Sequence, residues 1–202
     1  MKIFVSIFSA LFTVPILIAV LTASEACGRG HDNPRQALSM VPGDRLGIYR
    51  LSTDGADSLE KMGKPVAIQS GDSETKRVFD WGDQTLLFVH TVSNRVSGAE
   101  PPDGVTIDML RLSCPKETGV KTENGIHTGS TLAEVRSAFP DAQPVASEPR
   151  VYDDVKQGIA FEFGKSPAPE SHCIAITIHV PGQSRIVTQE QVEALLKKRA
   201  KH

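Results

Sequence analysis

Residues 77–88 read RVFDWGDQTLLF, and residues 150–161 read RVYDDVKQGIAF. The two stretches align without a gap. Arg77 matches Arg150, Val78 matches Val151, Asp80 matches Asp153, Gln84 matches Gln157 and Phe88 matches Phe161. Phe79 against Tyr152 and Leu86 against Ile159 keep the apolar character. Five identities in twelve positions exceed what chance readily gives and point to an internal repeat.

The flanks of the two stretches agree in type and order. The first is preceded by Gly47-Ile48-Tyr49 and the helical pattern Ala56, Leu59, Met62, which Gly63 and Pro65 end. The second is preceded by Gly125-Ile126-His127 and by Leu132, Val135 and Phe139, which fall on one helical face and stop at Pro140. Thr131 with Glu134 three residues on forms a capping box. Apolar stretches follow each copy, Val105 to Leu112 and Ile174 to Val180. The second alternates with period two, as a half-buried strand does. A last helix is expected from Thr188 to about Lys201, with Thr188 and Gln191 as its capping box.

These signals predict an α+β protein of two tandem modules, each a short helix packed on a small antiparallel sheet, plus a C-terminal helix. The expected divisions are a signal peptide over 1–26, a tether over 27–43, module one over 44–114, module two over 115–182 and the helix over 183–202. Modules of this size are marginal alone, so the two are expected to pack together.

The start of the chain reads as an export signal. Lys2 precedes an almost wholly apolar run from Ile3 to Leu21, and the small residues Thr22, Ala23, Ser24 and Ala26 follow. Cleavage after Ala23 or after Ala26 fits, and an uncleaved anchor is the rival reading. Cys27 just beyond is a lipidation candidate, although Ser24 and Glu25 depart from the usual lipoprotein pattern. Three cysteines in an oxidising compartment leave Cys114 and Cys173 as a candidate disulfide if Cys27 carries lipid. The destination is then the periplasm, the outer membrane or the exterior. The membrane is touched only through a lipid on Cys27 or an uncleaved signal.

The 22 basic and 24 acidic residues give a net charge of −2, which leaves no electrostatic footprint for nucleic acid. The basic cluster Lys197, Lys198, Arg199, Lys201 reads as a solvated helix end. His172-Cys173 is the only adjacent His–Cys pair, and neighbours on an extended chain point to opposite faces, which argues against a nucleophile and its base. Close metal-ligand pairs, a phosphate loop and a dinucleotide fingerprint are all missing from the sequence. No catalytic, metal or cofactor residue is assigned. The repeated Asp80 and Asp153 read as turn starters. Trp81, which the second copy lacks, is either core or a contact for a protein partner.

The segment Gly125-Ile-His-Thr-Gly-Ser-Thr-Leu-Ala-Glu-Val135 resembles the start of the SmpA/OmlA-type (BamE-like) outer-membrane assembly lipoproteins. It is also similar to each half of the β-lactamase inhibitory proteins. Module one lacks the Gly-Ser-Thr step. The motif marks a turn and a capped helix, so the resemblance implies a fold more than a function. It carries over no functional residue. The function expected is a non-enzymatic envelope protein that binds a protein partner. The alternatives are a secreted inhibitor or immunity-type protein, and a metal- or thiol-dependent enzyme using Cys114, Cys173 and nearby histidines.

Overall fold

The computed structural model describes residues 39–51, 55–93, 104–115, 119–164 and 167–199. The expected signal and most of the expected tether lie outside the described residues. Along the chain run β1 (Ser39–Val41), β2 (Arg45–Leu46), β3 (Tyr49–Arg50), α1 (Gly55–Met62), β4 (Ala67–Ser70), β5 (Glu74–Asp80), β6 (Leu86–Ser93) and β7 (Val105–Ser113). Then come β8 (Lys121–Thr122), α2 (Leu132–Ala138), β9 (Gln143–Val145), β10 (Glu148–Asp154), β11 (Ile159–Phe163), β12 (Cys173–His179) and α3 (Gln189–Arg199).

Two modules each with its own small sheet do not form. Instead β4-β5-β6-β7-β12-β11-β10-β9 make one eight-stranded antiparallel sheet, and β3-β2-β1-β8 make a second of four. The α+β expectation of tandem helix-on-sheet units is therefore corrected to a mostly β fold with three short helices. The SmpA/OmlA-like and β-lactamase inhibitory protein-like resemblance falls with it. The reason lies at the β7–β12 seam, where Ala175 pairs with Ser113 and the register runs on to His179 with Met109. This pairing joins strands more than sixty residues apart, and no local periodicity encodes it.

One continuous apolar cluster fills the first face of the large sheet. It draws Phe79, Leu87 and Val89 from one half and Phe161, Phe163 and Ile176 from the other. Leu132 and Val135 of α2 and its C-cap Phe139, with Met40, Leu46 and Tyr49 of the small sheet, close the same cluster. Leu59 and Met62 of α1 pack against it. Phe139 meets Phe161 with ring centroids 5.0 Å apart. Ser39–Val41, assigned to the tether by sequence, is strand β1, and its Met40 is buried. On the opposite face α3 covers a smaller apolar group of Ala67, Val78, Phe88 and Met109 through Val192.

The repeated stretches both fold as hairpins, β5–β6 and β10–β11, but the match breaks at the turn. Phe79 pairs with Leu87, whereas Tyr152 pairs with Phe161. Asp80 pairs with Leu86 across residues 81–85, whereas Asp153 pairs with Ala160 across residues 154–159. The second connection is one residue longer. Side chains alternate along a strand, so a one-residue slip turns every later side chain over. Phe88 thus packs under α3, while its sequence match Phe161 packs in the main core.

The small sheet is tied to the second hairpin through Gly158. Its carbonyl accepts from Gly43 N at 3.2 Å and from His179 N at 3.0 Å. Its φ is +76°, and an added Cβ would clash with the His179 carbonyl oxygen and sit 2.9 Å from Gly43 Cα. Both contacts are with backbone, which cannot swing aside. Gly158→Ala is expected to lower unfolding free energy by roughly 2–4 kcal/mol, combining left-handed strain with overpacking. Urea denaturation of the variant against the parent measures it.

Candidate functional site

The face of the large sheet beneath α3 carries charge where a β fold usually buries apolar groups. Asp108 and Arg111 interrupt the apolar strand β7, Glu162 interrupts β11, and Asp153, His90 and His179 lie on the neighbouring strands. All six are buried. A buried charge is tolerated only when paired and hydrogen-bonded, and three linked groups supply those partners.

At the centre Arg111 Nη2 donates to Glu162 Oε2 at 2.6 Å. Both oxygens of Glu162 also accept from the backbone N–H of Gln189, the first residue of α3, each at 3.0 Å. The positive end of the helix dipole thereby adds to the guanidinium. Burial pulls the Arg111 pKa down, against the opposing pull of Glu162. In the second group His179 Nε2 meets Asp153 Oδ1 at 2.9 Å, and Ser184 Oγ donates to Asp153 Oδ2 at 2.6 Å. In the third His90 Nδ1 meets Asp108 Oδ1 at 2.5 Å and Nε2 meets Glu74 Oε2 at 3.0 Å, while Arg185 Nη1 lies 2.9 Å from Asp108 Oδ2. Arg150 on β10 reaches Glu190 of α3 at 2.6 Å. Each group fastens the segment 180–190 to the sheet.

Serine, histidine and aspartate come together here, but not in a nucleophilic order. Asp153 lies between Ser184 and His179 and binds both, and the other ring nitrogen of His179 faces Val180 O at 3.1 Å. The histidine is not placed to take a proton from the hydroxyl. The geometry is that of a clamp.

The residues singled out by sequence are scattered. Cys27 lies outside the described residues. Cys114 and Cys173 flank the β7–β12 seam as free thiols rather than as a bridge. Cys114 Sγ accepts from Thr85 Oγ1 at 3.3 Å, and the Cys173 thiol donates to Ala175 O at 3.1 Å. Burial pushes the Cys173 thiol up to about 12. His172 is exposed, with Nδ1 at 2.7 Å from Gly129 O. Trp81 is half-buried against the main core, its ring 5.8 Å from that of Tyr49. Among the described residues no three His, Cys, Asp or Glu are grouped to hold a metal ion.

The repeated aspartates part company because of the longer second turn. Asp80 starts its turn as expected, accepting from Gly82 N at 2.7 Å. Asp153 is buried in the clamp, and its neighbour Asp154 takes the turn role by accepting from Gln157 N at 3.0 Å. The clamp residues Asp108 and Arg111 lie inside the stretch Val105 to Leu112, which reads as an apolar run in sequence. The charges inside it were the available signal.

The large sheet ends in two edge strands, β9 and β4. Strand β4 (Ala-Ile-Gln-Ser) hydrogen-bonds only to β5. Gly71 N donates to Glu74 O, so by the alternation of an antiparallel ladder Ile68 and Ser70 turn their N–H and C=O groups outward. Ile68 is 59% exposed. Between this edge and α3 runs an open hollow of about 570 Å³ lined by Lys64, Pro65, Val66, Leu195 and Lys198. It continues, through Gln69, Leu195 and Lys198, into a smaller one of about 260 Å³ that reaches Lys76 and Phe88.

Two measurements check this description. Cys173 should resist an aromatic disulfide reagent in the native protein and react only on unfolding, with peptide mapping finding no Cys114–Cys173 bridge. The second concerns pH. Burial opposes the His90 charge, but the bonds to Asp108 and Glu74 outweigh it, so its pKa is raised above 6.5. Glu74 is held below 4.5, first by the bond from His90 and next by Lys76. A raised histidine contributes stability fully below 6.5 and loses it as pH rises through the folded value. A depressed carboxylate contributes above 4.5 and loses it as pH falls through its own folded value. Together they are fully effective between those two values, and Tm should fall above that window more steeply in the parent than in His90→Gln.

No protein-family profile matches this chain, and no curated protein matches it either. Among solved structures it is similar to a cysteine-rich secretory protein from Staphylococcus aureus subsp. aureus Mu50, with 13% sequence identity and a TM-score of 0.42. The match covers 73% of this chain and 48% of that protein, so this chain spans about half the length of the protein it matches.

Proposed function

We propose that the mature chain is an exported, non-enzymatic envelope protein that binds another protein along the open β4 edge of its large sheet. The observation that carries this reading is the combination of outward backbone groups at Ile68 and Ser70 with the exposed Ile68 side chain and the adjoining hollow. A strand edge with its hydrogen bonds unmade is a template for pairing with another chain. The basic, apolar and small-residue order of residues 1–26 supports export. Among the described residues no helix is long and apolar enough to cross a membrane. The clamp beneath α3 supports a binding rather than a catalytic reading, since its polar groups are spent on holding the fold.

Cross-linking and capture of the tagged full-length protein from its native envelope, followed by mass spectrometry, tests both parts. The expected outcome is a mature N-terminus after Ala23 or Ala26 and a defined partner. That partner should be lost with Ile68→Pro, whose missing N–H faces away from β5 and so spares the ladder. Ile68→Lys should weaken capture without altering Tm. An intact residue 1 in the envelope pool, or a partner retained by both variants, would overturn the proposal.

A further inference from the structure

We infer that the β4 edge takes an extended, acidic polypeptide segment of alternating apolar and carboxylate side chains, which adds to the large sheet as a ninth strand. This rests on the proposed docking edge and names the chemistry of what docks there.

Charge is the first argument. Lys64, Lys76 and Lys198 line the continuous hollow, and among its described lining residues there is no Asp or Glu. Lys76 shares its charge with Glu74 at 3.1 Å. Lys64 and Lys198 have no ion-pair partner among the described residues, so the charged side chains that line the hollow are all basic. Lysines near a sheet edge can serve simply to repel other strands. Such protection puts the charge on the strand itself, and Ala67-Ile68-Gln69-Ser70 carries none. The lysines come instead from the approach to β4, from β5 and from α3, where they surround an edge rather than block it.

Backbone and apolar geometry supply the second argument. The outward N–H and C=O groups recur at every other residue, Ile68 and Ser70, which is the spacing an extended chain meets and a helix does not. Side chains of an added strand alternate, one set toward the α3 side and one toward the exposed Ile68. On the α3 side Leu195, Pro65 and Val66 offer apolar contact beside the Lys198 ammonium. A carboxylate and an aliphatic side chain in alternation satisfy both.

Two other occupants fit less well. A second copy pairing edge to edge would set Lys64 and Lys198 of each against those of the other, a like-charge arrangement that costs affinity. An anionic membrane would attract the lysines but would leave the strand's hydrogen-bonding groups unmatched in the lipid interior.

The test uses the mature chain, residues 27–202, with three fluorescein-labelled peptides: EVEVEVE, KVKVKVK and EVEPEVE. Fluorescence anisotropy gives affinity, and amide NMR shifts give the site. The expected result is binding of EVEVEVE alone, weakening as salt rises, with the largest shifts at the Ile68 and Ser70 amides. Lys64→Glu with Lys198→Glu should weaken it at least tenfold while leaving Tm within the parent's range, and Ile68→Pro should abolish it. Equal binding of KVKVKVK, binding that leaves those two amides unshifted, or insensitivity to the lysine changes would overturn the inference. So would self-association of the unlabelled protein through β4, or binding only to phosphatidylglycerol vesicles. The two proposals fail separately. A captured envelope partner that depends on Ile68, with no acidic-peptide binding, would overturn the chemistry and keep the edge. Acidic-peptide binding at β4 with no envelope partner would keep the chemistry and overturn the function.

Discussion

The ion pair between Arg111 and Glu162 sits in the middle of an eight-stranded sheet, and the arrangement of the second face follows from it. Both side chains are buried, with Arg111 at 0% exposure. Two charges taken out of water must find more than each other. Glu162 finds the first amide of α3, and Arg111 faces the Gln189 side chain at 3.3 Å. The helix is therefore part of the pair's solvation shell. Its own apolar contacts, centred on Val192 against Val78, Phe88 and Met109, are few. Polar clamp and apolar patch together hold α3 across strands from both halves of the sheet, and that position creates the hollow beside β4.

Much of the local structure was legible in the sequence. The capping box at Thr131 and Glu134 is formed as read, with Glu134 N donating to Thr131 Oγ1 and Thr131 N donating to Glu134 Oε2. Thr188 N donates to Gln191 Oε1 at the predicted start of the last helix. The helix at Gly55–Met62 also matches, whereas β12, expected to be half-buried, is buried on both faces, Ala175, Thr177 and His179 as well as Ile176 and Ile178. These signals involve residues a few positions apart. The β7–β12 seam was illegible because its partners are distant, and the tandem-module reading came from treating each half as if it closed on itself. The slip between the hairpins was illegible for a different reason. An ungapped match rewards identical letters, and Phe88 and Phe161 are identical while facing opposite sides of the sheet.

The candidate surface was less legible than the fold. In the sequence, cysteines, histidines and Trp81 draw attention by their chemistry. The docking edge rests on Ala-Ile-Gln-Ser, which has no distinctive chemistry at all. Its significance comes from being last in the sheet order, a property of topology. The clamp had a visible signal in Asp108, Arg111 and Glu162 within apolar strands. Charges inside otherwise apolar strands mark a face that something polar must cover, and here the covering segment follows the strands in the chain.

That order has a temporal side. A ribosome delivers the chain from its amino end, so every strand of the large sheet exists before residues 180–199 do. Without that segment, the face that carries Arg111, Glu162, Asp153 and His179 has nothing over it. Residues 180–190, laid over them, turn a sheet surface into an interior. The same covering hides Val78, Phe88 and Met109, so a chain cut short before residue 180 would show both charge and bare apolar surface on that face.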